Sequence, residues 1–308
     1  MKTIGLVDID TSHPGAWIPI LRQLGYTIAG FCDAGRIHPA EAARVFAAEH
    51  GVPQFADLPA LVEACDIGII HSCNWERHIP NAALFVTAGK PVFLDKPLAG
   101  NLRDLQTLLA WETSGARISG GSCNLYAREI RDYLARTSVA DGTRAHTLLG
   151  GCGVDEFNYG IHAISAACAV LGFRWRQVRL SAEGRLQVCH VLWDSGDQAV
   201  LTFGKHAWLP THLTLIAERT VEHLRIDIAD IFQPLLRATI PYLDSGAPPP
   251  IPLTDLVQAE MISLAAQRSS QQNGRWVVRA EMTAAAESYD GAAFERADRK
   301  LRYPDADR

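Results

Sequence analysis

Along the first 120 positions apolar residues come in short dense runs, separated by longer stretches with helical spacing. The runs at Thr3–Ile9, Thr27–Cys32, Ile67–Ser72, Pro91–Leu94 and Arg117–Gly120 read as strands. Between them, Pro14–Leu24, Pro39–His50, Leu58–Glu63, Ile79–Ala88 and Leu102–Thr113 place apolar residues three and four apart, as amphipathic helices do. Nearly continuous apolar strands alternating with helices predict βαβ units, hence an α/β domain whose mostly parallel sheet is covered on both faces. Such sheets bind ligands beyond the carboxyl ends of their strands, where the strand order reverses.

After Ser122 the rhythm changes. A helix over Leu125–Arg136, a strand near Thr143–Gly150 and a helix over Tyr159–Leu171 are followed by alternating strand patterns. These lie at Arg185–Trp193, Gln198–Gly204, His212–Ala217 and Thr220–Ile228. The tight turn Asp194-Ser195-Gly196-Asp197 predicts an antiparallel meander. Helices at Ile231–Asp244, Leu253–Ser270 and Ala280–Ser288 close the chain. The expected division is a parallel-sheet domain over 1–121 and an α+β domain over 122–308, built on a large, mainly antiparallel open sheet.

Composition narrows the function classes. With 308 residues the chain is long enough for two cores, and 48% hydrophobic with 20% charged residues is ordinary for a globular protein. A net charge of −5 gives no support to nucleic acid or an anionic membrane as partner. The first residues enter a strand without the apolar stretch of a leader, and no apolar run approaches the roughly 18 residues of a membrane span. The seven cysteines are scattered and never spaced Cys-x-x-Cys, which argues against a disulfide framework or a cysteine-rich zinc site. A cytoplasmic protein is expected. His146 and His206 carry no chemistry beyond solvation.

The first βα turn, Asp8-Ile9-Asp10-Thr11-Ser12-His13-Pro14, stands where Gly-x-Gly-x-x-Gly would cradle a dinucleotide's diphosphate. All three glycine places are filled, by Asp8, Asp10 and His13. The turn nevertheless keeps a capping Thr11 or Ser12, a Pro14 suited to a first helical turn, and a helix N-terminus whose N–H groups suit an anion. Asp33 ends the second strand about 20 residues on, where such folds hold the adenosine ribose, which favours NAD; Arg36 keeps NADP open. Asp10 and His13, with His78, are the alternative donors for a substrate or a metal.

Gly89–Leu109, with Leu94-Asp95-Lys96-Pro97 at its centre, is the most specific stretch. It resembles the Glu-Lys-Pro motif of the glucose–fructose oxidoreductase/inositol dehydrogenase (Gfo/Idh/MocA) family. His71–His78, Cys123–Glu129 and Glu156–Ile164 match further family segments, and the likeness runs over nearly the whole chain. The resemblance implies a Rossmann-type domain followed by an α/β domain, and hydride transfer between NAD(P) and a sugar, polyol or sugar acid. It marks Lys96, His162 and Asn158 as catalytic, His162 acting as acid/base beside the Lys96 ammonium. Cofactor contacts are expected from Ile9, Asp10, Thr11, Ser12, His13, Asp33, Cys73, Asn74, His78, Asp95 and Lys96. Substrate contacts are expected from Trp75, Asn124, Tyr126, Arg128, Asp155 and Tyr159, and no resident metal.

A neutral imidazole with a pKa near working pH suits the removal of a hydroxyl proton, and an ammonium group stabilises developing alkoxide charge. The chain departs from the pattern in Asp95 for Glu, in Asn158 for an acid, and in a loop at 73–78 that carries Trp75 and lacks the family proline. A homodimer or homotetramer is implied through the open sheet face. Two other readings follow from the departures: a sugar-binding or regulatory protein without cofactor, and a non-redox enzyme (elimination, epimerisation or metal-dependent) on the same fold.

Overall fold

The computed structural model describes residues 2–204, 208–284 and 287–304, so His206 lies outside the described residues. Five strands, β1 (Thr3–Val7), β2 (Thr27–Cys32), β3 (Ile67–Ile70), β4 (Val92–Leu94) and β5 (Ile118–Gly120), open the chain. They alternate with α1 (His13–Gln23), α2 (Ala40–His50), α3 (Leu58–Ala64), α4 (His78–Thr87) and α5 (Leu102–Thr113). Every pairing in this sheet is parallel, in the order β2-β1-β3-β4-β5, and a single parallel bridge from Phe31 to Gln54 adds a remnant outside β2. The order reverses at β1, so the crevice of this sheet opens between the carboxyl ends of β1 and β3.

The strands are apolar on both faces because both faces are covered: Ile4, Leu6, Ile67, Ile69 and Ile70 are all buried. Gly68 lets α4 lie directly on β3, since a Cβ there would sit 2.4 Å from the Phe85 ring. Asp57 caps α3 through the Ala60 N–H at 2.8 Å, and Asn101 caps α5 through the Asp104 N–H at 2.9 Å.

The middle of the chain holds a short 3₁₀ helix at Cys123–Tyr126, then α6 (Arg128–Arg136), β6 (Thr147–Cys152) and α7 (Gly160–Leu171). The meander β7 (Trp175–Ser181), β8 (Gln187–Trp193), β9 (Gln198–Phe203) follows, then β10 (His212–Ile216) and β11 (Val221–Arg225). The remaining elements are α8 (Phe232–Ser245), α9 (Leu253–Leu256), α10 (Gln258–Gln271), β12 (Val277–Val278), a 3₁₀ stretch at Arg279–Ala284 and α11 (Gly291–Arg302). Seven strands form one sheet in the order β11-β10-β6-β9-β8-β7-β12, antiparallel except where β6 meets β9. Helix α7, apolar almost all round, packs on β6 and β9, and α10 packs on β7. No helix among the described residues is long and apolar enough to cross a membrane.

Contacts divide the chain into two compact units. The first takes Met1–Gly121, Leu236–Leu253 and Asp290–Arg308; the second takes Ser122–Leu235 and Thr254–Tyr289. A single boundary near residue 121 does not provide for the two returns. Helix α8 is fixed to the first unit at Asp244, whose backbone carbonyl accepts from Lys2 Nζ at 2.6 Å and Arg117 Nη1 at 3.0 Å, while its carboxylate accepts from Tyr26 Oη at 3.2 Å.

Other differences from the sequence pattern have local causes. Strand β7 was not expected, because a bulge between Trp175 and Gln177 breaks its alternation. The expected helix Leu253–Ser270 is two helices meeting at Val257. The one expected at Ala280–Ser288 is 3₁₀ to Ala284, and residues 285–286 lie outside the described residues. Helix α11, rich in charged residues and poor in large apolar ones, lies beyond the last element expected from the sequence.

Candidate functional site

The carboxyl end of β1 is a knot of carboxylates. Asp8 leaves the strand at a φ of 62°, the left-handed region that Asp tolerates better than most residues. Its buried side chain accepts from the Ala34 N–H at 3.0 Å, from the Ser72 hydroxyl, and from Arg77, 3.2 Å away. Asp8 thereby ties β1 to the loops that follow β2 and β3. Ile9 is buried beside it.

Asp10 is fully buried; Oδ2 accepts from the Cys73 N–H at 2.9 Å, and Oδ1 has no hydrogen-bond partner. Burial first, and then the charge of Asp8, push its carboxyl up to about 7. Asp33 accepts from the Ile9 N–H at 3.4 Å and the Gly35 N–H at 3.2 Å, and burial followed by the Asp8 charge raises its pKa too. Ligand oxygens of Asp8, Asp10 and Asp33 lie within 4.8 Å of one another.

Helix α1 starts beside this knot. Ser12 is its N-cap without a side-chain bond, Thr11 Oγ1 accepts the His13 N–H at 3.2 Å, Pro14 sits in the first turn, and that turn carries no acid. Its first residue, His13, reaches across to the end of β4. There the buried Asp95 Oδ2 accepts from His13 Nδ1 at 2.5 Å and from His71 Nδ1 at 3.0 Å, while Oδ1 accepts the Lys96 N–H at 2.8 Å. Burial alone would raise the Asp95 carboxyl; the two imidazoles override it and hold the group well below the usual carboxylate range. Burial lowers His71. The Trp17 ring stacks on His13 at 5.7 Å and meets His71 edge-on at 4.8 Å, fixing both rings. Lys96 follows, half-buried, and is joined to Pro97 by a cis peptide bond.

The loop after β3 faces inward. Asn74 caps a 3₁₀ turn through the Glu76 N–H at 3.0 Å, Cys73 and Trp75 are buried, and Phe294 of α11 lies against the Trp75 ring at 5.4 Å. Both His78 ring nitrogens face backbone carbonyls, of Leu98 at 3.1 Å and Ser72 at 2.9 Å, and burial lowers its pKa. His78 therefore braces the loop, turned to the backbone on both sides.

In the second unit His162 lies on the first turn of α7. Its Nδ1 meets the Ser122 hydroxyl at 2.8 Å, and the Asn124 side-chain amide donates to its backbone carbonyl at 3.2 Å. Ser122 also accepts the Asn124 N–H at 3.1 Å, so one hydroxyl orders both the 3₁₀ turn and the imidazole. The helix begins at Gly160, so Asn158 and Tyr159 stand in the turn before it. Asp155 Oδ1 organises that turn by accepting from the Phe157 and Tyr159 N–H groups at 2.8 and 3.2 Å. Tyr159 lies 6.2 Å from the His162 ring and 5.8 Å from Trp208. The Tyr126 hydroxyl is buried without a hydrogen-bond partner, and Arg128 is exposed at the start of α6.

Within the first unit the structure thus groups Ile9, Asp10, Asp33 and Cys73 at the end of β1, and His13, Asp95 and Lys96 at the end of β4. In the second it groups Asn124 with His162, and Asp155 with Tyr159. Asp8, His71, Ser72, Arg77 and Ser122 were not among the expected site residues. His71, Ser72 and Arg77 lay inside a quoted motif and Ser122 one residue before another, so adjacency was the available signal.

Known proteins align with this layout. The GFO_IDH_MocA family model, described as an oxidoreductase family with an NAD-binding Rossmann fold, matches residues 4–119. A Salmonella typhimurium protein named as the oxidoreductase YceM is 32% identical over 108 residues, 35% of this chain and 34% of that one. The chain spans about a third of the length of the curated relatives it matches. GenD2 from gentamicin A biosynthesis, solved with NAD, superposes with a TM-score of 0.77 at 15% identity, covering 90% of this chain and 96% of that one. The myo-inositol dehydrogenase of Lactobacillus casei, solved with NAD(H) and myo-inositol, gives 0.75 at 16% identity with the same two coverages, 90% and 96%. At such identities these two likenesses speak for the fold.

Proposed function

Because residues 4–119 match the model of an oxidoreductase family with an NAD-binding Rossmann fold, we propose that the chain is a Gfo/Idh/MocA oxidoreductase and an NAD(P)-dependent dehydrogenase or reductase. Its substrate is a secondary alcohol of a sugar, polyol or sugar acid, or the matching ketone. The observation that carries the reading is Lys96 at the carboxyl end of β4, its backbone N–H held by an Asp95 that two imidazoles keep ionised.

The donor set fits a dinucleotide over part of its length. The first turn of α1, whose N-cap makes no side-chain bond and which carries no acid, suits an anion, and Lys96 is the residue that would meet the nicotinamide half. Asp33 stands where the adenosine ribose belongs, favouring NAD over NADP. When bound, the nicotinamide supplies the hydride acceptor or donor. Lys96 then donates to the substrate oxygen and stabilises its alkoxide character, and His162 takes the hydroxyl proton. Ser122 holds the His162 ring through Nδ1. Asn158 orients the same histidine by resemblance, without the added basicity of a carboxylate.

The test is calorimetric titration of cofactor-stripped protein with the oxidised and reduced forms of both dinucleotides, followed by a polyol screen for nicotinamide reduction. Micromolar binding of one pair, with turnover lost in His162→Ala, supports the reading; no binding of any of the four ends it. One observation favours a second reading, a sugar-binding or regulatory protein: Asp8 and Asp10 fill the turn that glycines leave open. Sugar binding without dinucleotide binding is its signature.

Exposed Leu149 and Val188 on the large sheet support a homodimer or homotetramer, which light scattering decides. Seven free cysteines support a reducing, cytoplasmic setting.

A further inference from the structure

We infer that helix α11 occupies the place of the adenosine half of a dinucleotide, so that the cofactor enters fully only as this helix leaves. The inference rests on the dinucleotide reading above. In a sheet of this order the adenosine lies over the end of β1, between the loops that follow β2 and β3. Helix α11 bridges those two loops. On the β3 side Phe294 covers Trp75, Glu295 lies 3.8 Å from Arg77, and the Gly291 N–H donates to Glu76 at 3.2 Å. On the β2 side Arg299 donates to the Arg36 carbonyl at 2.9 Å, and Tyr303, just past the helix, hydrogen-bonds His38 at 2.8 Å. A helix joined to both loops must cross the end of the strand between them, β1.

The fit is close but chemically incomplete. A Cβ on Gly291 would sit 2.3 Å from Asn74 Oδ1 and 3.1 Å from Trp75 Nε1, so the helix start lies flat on the loop. Yet Asp10 Oδ1 is buried without a hydrogen-bond partner, and Arg77 Nη1 and Glu295 Oε2, also buried, face each other across 3.8 Å, too far for a hydrogen bond. Native interiors rarely tolerate such groups, and their clustering suits a seat that another occupant satisfies better. The helix is held mainly by polar contacts, with little apolar burial: Leu301 is 81% exposed, and Phe294 is the large apolar side chain on its seated face. Weakly anchored elements are those that open at low cost. Its departure would remove the charges of Glu295 and Asp298 from beside Cys73 and release Arg77 toward an anion.

The experiment compares three proteins by calorimetry: the full chain, a chain ending at Tyr289, and full-length Gly291→Ala, whose added methyl wedges the helix off its seat. The probes are NADH, ADP for the adenosine half, and nicotinamide mononucleotide for the other half. Both altered proteins are expected to bind NADH and ADP about tenfold more tightly than the full chain, with nicotinamide mononucleotide unchanged. In the full chain, saturating NADH should release the hydrogen-exchange protection of residues 291–302. Equal or weaker binding of NADH and ADP by a folded variant overturns the inference, as does undiminished protection in the saturated complex. If all three proteins bind NADH alike, only this inference falls; if none binds, the dinucleotide reading falls with it. Gly291→Ala keeps the test open should the shortened chain fail to fold.

Discussion

The carboxyl ends of β1 and β4 lie two strands apart in one sheet, and they solve the problem of buried charge in opposite ways. At β1 three carboxylates gather beside one guanidinium, Arg77, and much of the satisfaction comes from backbone N–H groups of Cys73, Ala34, Ile9 and Gly35. One of the three, Asp10, answers by holding its proton up to about pH 7. At β4 one carboxylate faces two imidazoles and precedes a lysine, and it stays ionised. A buried acid surrounded by its own kind gives up charge, whereas one with basic neighbours keeps it. The β1 end therefore sheds charge and the β4 end keeps it.

Breaking the β4 end should have the larger consequences. Lys96→Met removes the ammonium while keeping chain length; turnover of a polyol substrate is expected to fall about 10³-fold with dinucleotide affinity retained, measured by nicotinamide absorbance and calorimetry. Asp95→Asn replaces the carboxylate that both imidazoles require. A depressed carboxyl pKa stabilises the fold above the unfolded value of 3.8 and ceases to do so as pH falls through the folded value. The variant should lose about 3 kcal/mol near neutrality, by denaturant titration, and converge with the parent in strong acid.

At the β1 end the signs reverse. The raised pKa of Asp10, about 7 against 3.8, means that ionised Asp10 opposes folding once pH exceeds the lower value, with the full cost reached above the higher one. Asp10→Asn should match the parent near pH 4 and exceed it by about 2 kcal/mol at pH 8. Parallel melting curves at both pH values with no growing gap would remove the contrast between the two ends. The smallest effect is expected from Ser72→Ala, which takes one hydroxyl from Asp8 and should cost about 1 kcal/mol, Arg77 and the Ala34 N–H remaining.

How far the sequence foretold these ends depends on what each needs. The alternation of strands and helices was legible because buried parallel strands must be apolar on both faces, as Ile67–Ile70 is. Asp33 and Lys96 were legible because each ends a strand at a position the fold itself singles out. The role of Asp8 was not, since it depends on a left-handed backbone and on partners 26 and 64 residues away. Strand β7 was hidden by one bulged residue, and α11 by having few large apolar residues to mark its buried face. The helix expected over Tyr159–Leu171 starts one residue later, at Gly160, after the turn organised by Asp155 that holds Asn158.

The first unit closes only with segments made after the second, Leu236–Leu253 and Asp290–Arg308. On the ribosome, where domains generally form in the order they emerge, this one cannot. Lys2, Tyr26 and Arg117 must wait for Asp244 of α8, and Trp75 must wait for Phe294. The sheet synthesised first is therefore the one finished last, and while the rest of the chain is being made its unfinished flank is open to chaperones and proteases.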